Sequence, residues 1–428
     1  MFSTLRTIWQ LKDLRKRILV TIGILVLVRV LAHIPMPGIN AGELASLFDK
    51  NQLFGLLNLF TGGTLQRFSI ILMGVGPYIT ASIIFQLLVI IVPSLEALQK
   101  EGEYGKKKIT QYTRLLSVPL AVLQGYSTIL LIRSQGVTID LSALNLVVVL
   151  LTLTAGTMFL MWLGEIITEN GIGNGISLII TLGILAGLPT TISQALSART
   201  VVAGAGIGQY FDLVGFAALA LAVTAAIVVV NESERQLPVT YARSVRATRR
   251  GSVDSTLPIK LLVAGVIPII FALSMMVFPP ILAQFFVHAR TVQVANAAVW
   301  VINLFQNQLF YGIAYFILVV AFTYFYTFIA FQPEQVAENL QKQGGFIPGV
   351  RPGRETSMYL HTVLNRLTLF SAAFLALIAI IPFLVKAATG SQALVIGGTS
   401  VLIVVSVTLE TMRQVRSQLT MRQYDVAS

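Results

Sequence analysis

Few groups in this chain could carry covalent chemistry. Cysteine is absent, and the three histidines, His33, His288 and His361, fall in separate regions of the sequence. No HExxH pair accompanies them, so neither a thiolate site nor a zinc-peptidase site is expected. A Walker A pattern is also missing, so the chain is not expected to power work by hydrolysing a nucleotide. The GAGIG run at 204–208 lacks both the full GxGxxG and a strand–turn–helix setting, and reads as a flexible loop. The expectation is therefore no catalytic residue, no metal and no cofactor. What remains is the chemistry of exposed cations and of apolar surface. Residues 231–260 carry Arg243, Arg246, Arg249 and Arg250, and residues 331–366 carry Arg351 and Arg354. Guanidinium groups in such loops can pair with RNA phosphates or with acidic protein surfaces. The alternative reading needs no partner, because loops on the inner side of a membrane are basic as a rule.

These groups need elements to hold them, and the composition says what kind. Hydrophobic residues make up 55% of the 428 and charged residues 11%. A soluble fold of this size could not solvate such a surface, so a polytopic, all-α membrane protein is expected. Ten spans are predicted, near 18–34, 74–92, 114–132, 145–163, 174–190, 211–230, 261–279, 309–330, 367–385 and 394–411. Of the 30 Lys and Arg residues, 23 fall in the terminal segments and the loops that share their side, and 6 in the opposite loops. That asymmetry predicts cytoplasmic N- and C-termini. The basic N-terminal stretch (Lys12, Arg15, Lys16, Arg17) runs into a full-length span without a small-residue cleavage site, so the first span is expected to be retained. Arg29, the remaining cation, sits inside the first span near its outer end. An intramembrane charge is a functional candidate by default, with a structural Arg bonding carbonyls or snorkelling as the alternative.

Five spans precede the Gly-rich stretch VVAGAGIGQY and five follow it, giving halves at 1–205 and 206–428. An odd number of spans per half suits an inverted repeat. Little sequence similarity links the halves, so this expectation rests on hydropathy. One stretch breaks the pattern: residues 61–88 read TGGTLQRFSIILMGVGPYITASIIFQLL. Its first part is about 14 Å long as a helix at 1.5 Å per residue, too short for a hydrocarbon core of about 30 Å. Gly74, Gly76 and Pro77 then interrupt the span that follows, where Pro removes a backbone donor and is expected to kink the helix. Pro268 sits comparably in the seventh span. The loop GEIITENGIGNG after the fourth span has no Lys or Arg, and its glycines suggest a tight turn. NES at 231–233 is formally a glycosylation sequon, but it falls on the cytoplasmic side and is read as chance.

Several stretches are more particular than generic membrane packing requires. They are IPMPGIN at 34–40, the broken span, KEGEYGKKKITQYTR at 100–114, GIGNGISLIIT at 171–181, LPIKLLVAGVIPIIFA at 257–272, GGFIPGVRPG at 344–353 and GGTSVLIVVSV at 397–407. Together, in order and over nearly the whole chain, they resemble the SecY family, the central subunits of the bacterial protein-translocation channel. The resemblance implies two pseudo-symmetric, inverted halves of five helices around an hourglass pore. It implies a lateral gate between the second and seventh spans, involving Pro77, Gln86, Leu262 and Pro268. At Leu262 well-known relatives carry an Asn, so a gate hydrogen bond is expected to be missing or supplied elsewhere. An apolar pore ring is implied at Val75, Ile79, Ile180, Ile184, Ile270 and Ile403. The pairs Val75/Ile79 and Ile180/Ile184 have i,i+4 spacing, so each pair shares one helix face. Bulky apolar side chains at a narrow waist would block ions by dewetting. A short re-entrant plug is implied at about 61–73, over Gly62, Gly63, Thr64, Leu65, Gln66, Arg67, Phe68 and Ser69, with the paired glycines as a hinge.

The implied function is passive: unfolded secretory chains cross the bacterial cytoplasmic membrane, and apolar segments leave sideways into lipid. The implied partners are SecE, SecG, the SecA motor ATPase, the ribosome, signal peptides and nascent chains, and anionic lipids, with a channel dimer as a candidate working unit. The basic loops would be the shared docking site for ribosome and SecA. A secondary transporter is the competing class, since inverted repeats and broken helices are common there. Transporters need coordinating or charged groups at mid-membrane, whereas the implied centre of this chain is rich in isoleucine.

Overall fold

The computed structural model describes residues 11–36, 68–134, 142–200, 208–241, 255–287, 289–389 and 398–427. In chain order the helices are α1 (Lys12–Leu31), α2 (Gly76–Ile91), α3 (Pro93–Lys100), α4 (Glu103–Ser134), α5 (Ala143–Asn170), α6 (Gly175–Thr200) and α7 (Gly208–Glu232). Strands β1 (Glu234–Tyr241) and β2 (Ser255–Lys260) follow, then α8 (Ile267–Phe286), α9 (Val292–Gln306), α10 (Gln308–Ala330) and α11 (Pro333–Lys342). The two-residue β3 (Gly345–Phe346), α12 (Arg354–Thr389) and α13 (Gly398–Ala427) complete the chain. Every expected span falls on a helix. Four of them (α5, α8, α10 continuing into α11, and α12) are long and apolar enough to cross a membrane by length and composition alone. A fifth candidate joins α2 to α3, which turns by 100° at the break.

The expected kinks are not kinks. Pro77 and Pro268 each stand in the first turn of their helix, α2 and α8, where the missing N–H would be unpaired in any case. The seventh span accordingly begins at Ile267 and ends at Phe286, several residues beyond its expected bounds. Real interior prolines, Pro279 and Pro280, lie further along α8. They deny an i+4 donor to the carbonyls of Met275 and Met276 and so loosen that helix from within. Helix α4 starts at Glu103, well before the expected span at 114–132. Helix α9, a short apolar helix between the seventh and eighth spans, was not anticipated.

Lipid tails are as apolar as leucine, so helix association in a membrane depends on close approach and on satisfied polar groups rather than on apolar burial. Glycine supplies the approach. A Cβ at Gly156 of α5 would stand 2.2 Å from the Ile70 carbonyl oxygen, and one at Gly175 of α6 would stand 1.9 Å from the Gly164 carbonyl oxygen. Buried threonines close on their own helices: Thr157 donates to Leu153 O at 3.0 Å, Thr323 to Val319 O at 2.6 Å and Thr368 to Leu364 O at 2.8 Å.

The expected tight turn between α5 and α6 occupies residues 171–174, with Gly173 at φ +87°. It also ties distant elements together. Ile172 N–H donates to Thr21 Oγ1 of α1 at 3.1 Å, and Gly173 N–H donates to Gln414 Oε1 of α13 at 2.9 Å.

The two basic segments are not independent loops. Strand β1 pairs antiparallel with β2 of its own hairpin, Leu237 opposite Leu257, and on its other edge with β3 of the second segment, Thr240 opposite Phe346 and Tyr241 opposite Gly345. The resulting sheet, ordered β2-β1-β3, covers a small core of Leu237, Val239, Ile259, Ala337, Leu340, Ile347, Leu360 and Leu364. This module is an addition to the expected all-α architecture. Here water is the competing solvent, so each fully buried Leu or Ile contributes about 2 kcal/mol.

Candidate functional site

All six expected ring residues lie in one buried apolar cluster. Val75 and Ile79 come from the start of α2, Ile180 and Ile184 from α6, Ile270 from α8 and Ile403 from α13, and none is more than 9% exposed. Four of them (Val75, Ile79, Ile180 and Ile270) also line a cavity of about 90 Å³. The cavity wall carries Thr80, Gln124, Thr128 and Ser274 as its polar groups, together with the apolar Leu273 and Phe278. It lies among α2, α4, α6 and α8.

The helix pair expected to form a gate is held by groups the sequence reading did not single out. Gln124 of α4 donates from Nε2 to Thr80 Oγ1 of α2 at 3.4 Å, and Thr80 in turn donates to Gly76 O at 3.1 Å. Ser127 of α4, 1% exposed, donates to the Ile281 carbonyl of α8 at 2.9 Å. These two bonds link α4 to both expected gate helices. A signal was present in the sequence: Gln124, Ser127 and Thr128 follow an i, i+3, i+4 spacing along one face of an otherwise apolar span.

The expected gate residues behave differently. Gln86 is half-buried and donates to Ser82 Oγ of its own helix at 3.1 Å, while its buried Oε1 has no hydrogen-bond partner among the described residues. Leu262 is not on α8 at all. It precedes the helix, is 5% exposed, and its carbonyl accepts from Gly265 N–H at 3.3 Å. Its backbone closes the turn that launches α8, and its side chain lies in the same buried apolar cluster as the expected ring residues.

Of the expected plug residues, Gly62, Gly63, Thr64, Leu65, Gln66 and Arg67 lie outside the described residues. Phe68 and Ser69 are described, and both are fixed. Phe68 is 1% exposed and its carbonyl accepts from Met36 N–H at 2.9 Å, while Ser69 Oγ donates to Leu31 O of α1 at 2.8 Å. Both residues are thus tied to the end of α1 and the segment just after it. Phe68 also takes φ +46°, a left-handed conformation uncommon outside glycine.

Arg29 is half-buried in the last turn of α1, where the helix dipole favours a cation. Arg243, Arg246, Arg249 and Arg250 fall in residues 242–254, outside the described set, between the strands of the β1–β2 hairpin. Arg351 is exposed in the turn after β3, and its carbonyl accepts from Thr356 Oγ1 at 2.8 Å. Arg354 opens α12. Pairing of β1 with β3 thus carries the hairpin and the Arg351 turn on one sheet.

The described residues form a bundle of apolar helices around a buried apolar cluster, with a separate three-stranded sheet module, the architecture of a membrane-protein class. The family model for SecY matches residues 69–412. The protein translocase subunit SecY of Halalkalibacterium halodurans is 44% identical over 439 residues, covering 99% of each chain. That of Mycobacterium bovis is 42% identical over 448 residues, covering 99% of this chain and 98% of its own. Among solved structures, one described as a protein-conducting channel superposes with a TM-score of 0.65 at 20% identity, covering 94% of this chain and 92% of its own. A channel in the canine ribosome-channel complex from the endoplasmic reticulum superposes with a TM-score of 0.64, also at 20% identity and with the same coverage. The chain belongs to the SecY family.

Proposed function

We propose that this chain is the passive conduit through which unfolded polypeptides cross the bacterial cytoplasmic membrane, and from which apolar segments pass sideways into lipid. The observation that carries the reading is the convergence of Val75, Ile79, Ile180, Ile184, Ile270 and Ile403 from four helices into one buried cluster. Branched side chains at a waist close it to water and ions by dewetting, yet yield to a chain of any sequence. An apolar segment entering between α2 and α8 would replace the Gln124–Thr80 and Ser127–Ile281 contacts with contacts to itself. It would then leave for lipid if its transfer energy favours the bilayer.

In this reading both termini are cytoplasmic, which agrees with the charge asymmetry of the loops. Residues 61–67 act as the plug, with Phe68 and Ser69 as its fixed root. Arg243, Arg246, Arg249, Arg250, Arg351 and Arg354 would dock the ribosome or SecA, since guanidinium groups suit an acidic or phosphate-rich surface, and the pairing of β1 with β3 supports a shared site for the two segments. SecE and SecG would cover exposed apolar flanks of the bundle, and energy would come from the bound motor or ribosome.

A photocrosslinking amino acid at Ile79, Ile184 or Ile403 tests the assignment. With a secretory chain arrested in transit, these positions should crosslink to it, whereas Leu369, 63% exposed on α12, should not. Equal crosslinking at Leu369, or none at the ring, would remove the pore from the waist.

A further inference from the structure

Two short stretches repeat between the halves. GVGPYI at 74–79 aligns with GVIPII at 265–270, and GISLII at 175–180 aligns with GTSVLI at 398–403. The backbone repeats as well. Gly74 and Gly265 both take left-handed φ, +56° and +60°. Val75 and Val266 both cap the following helix, at φ −95°, ψ 6° and φ −93°, ψ −6°. The turn before each is closed in the same way, by Gly74 N–H to Ile71 O at 2.9 Å and by Gly265 N–H to Leu262 O at 3.3 Å. The second pair matches in register: Gly175 and Gly398 open α6 and α13, so Ile180 and Ile403 occupy the same helical position.

This register pairs the ring with itself. Ile79 corresponds to Ile270, and Ile180 to Ile403. It leaves Val75 and Ile184 without ring counterparts, and those positions are filled by Val266 and Val407. Both are buried, at 6% and 2% exposure, in the same cluster as the six expected ring residues.

We infer that the waist is a symmetric seal of eight side chains, in which Val266 and Val407 line the pore and touch the translocating chain. The inference rests on the pore reading above. Inverted halves related by an axis in the membrane plane carry Val75 and Val266 to opposite sides of the waist, and Ile184 and Val407 likewise. Val266 and Val407 therefore sit on the cytoplasmic side of the seal and meet an arriving chain before Val75 and Ile184 do. The cytoplasmic pair is Val266 and Val407, and the opposite pair is Val75 and Ile184, so the two sides differ by one methylene.

The absence of cysteine from the chain makes the test clean. Val266→Cys and Val407→Cys are near-isosteric, and each is the single thiol in its variant. A secretory chain carrying one cysteine is arrested at successive depths in proteoliposomes, and disulfide formation is read under mild oxidation. Bridges should form to both, at yields within about twofold of those to Ile79→Cys and Ile403→Cys, because a disulfide demands Cβ atoms about 4 Å apart. Peak yield should come with the arrested cysteine closer to the cytoplasmic side than for Val75→Cys. Bridges to Ile79→Cys and Ile403→Cys without bridges to Val266→Cys and Val407→Cys would overturn the eight-residue seal and leave the pore reading intact. Failure at all four positions would overturn the pore reading itself.

Discussion

Replacing Ser127 by Ala tests whether the α4–α8 contact is what keeps the gate shut. Ser127 Oγ is the sole atom removed; it is buried, and it donates across the helix interface to the Ile281 carbonyl at 2.9 Å. A net hydrogen bond between membrane helices is worth about 0.6 to 1 kcal/mol. When the helices part, the hydroxyl can return to a carbonyl of its own helix, so the loss falls on the closed state. The closed-to-open ratio should then fall by about threefold to fivefold. The assay is transport of a secretory protein with a weakened signal sequence into proteoliposomes, alongside one with an intact signal. The weak-signal substrate should gain by about that factor, and the intact one should barely change. Thr128→Ala is the control, because Thr128 Oγ1 donates to Gln124 O of its own helix at 2.8 Å and crosses no interface. If Ser127→Ala leaves weak-signal transport unchanged, or if Thr128→Ala raises it equally, the bond is not a latch.

Other outcomes follow from the same geometry. Gly175→Ala places a Cβ 1.9 Å from the Gly164 carbonyl oxygen, so α5 and α6 must separate; the cost should exceed about 2 kcal/mol and appear as a lowered midpoint of thermal unfolding in detergent. Leu237→Ala removes a side chain 2% exposed from the core of the sheet module, at about 2 to 4 kcal/mol. Limited proteolysis should then cut the β1–β2 hairpin faster while the membrane helices stay protected. Arg351→Glu should weaken binding of ribosomes or of SecA to proteoliposomes without altering insertion of the protein, since the side chain is exposed and supports no core; unchanged binding would mean that the basic loops answer only to membrane orientation.

The helices were legible because the constraint that writes them is severe: a span must be apolar over most of its length, and loop charge then orients it. The ring was legible only through motif resemblance, since nothing in the apolar character of Ile403 separates it from Ile378, which is equally buried in the same cluster. Pro77 and Pro268 misled because proline reads alike as a kink and as a first-turn residue; the left-handed glycine three residues earlier distinguishes the two, and φ is not written in composition. The sheet escaped notice because β3 is two residues long and pairs with a strand about a hundred residues away in sequence, beyond the reach of any local pattern. Leu262 stands just before α8 and not within it, a boundary that hydropathy does not mark because residues 261–267 are as apolar as the helix itself. The internal repeat is legible in hydropathy alone, because the matching letters amount to two six-residue stretches that gain weight only from the shared conformation of Gly74 and Gly265.

The central claim is that side chains at the waist seal the resting channel, and electrical recording across a planar bilayer tests it most directly. With Val75, Ile79, Ile180, Ile184, Val266, Ile270, Ile403 and Val407 replaced together by Ser, the dewetting barrier is removed and the resting protein should conduct ions steadily, while the unaltered protein stays closed. A variant that inserts, remains folded by proteolysis and still holds the closed level would contradict the account.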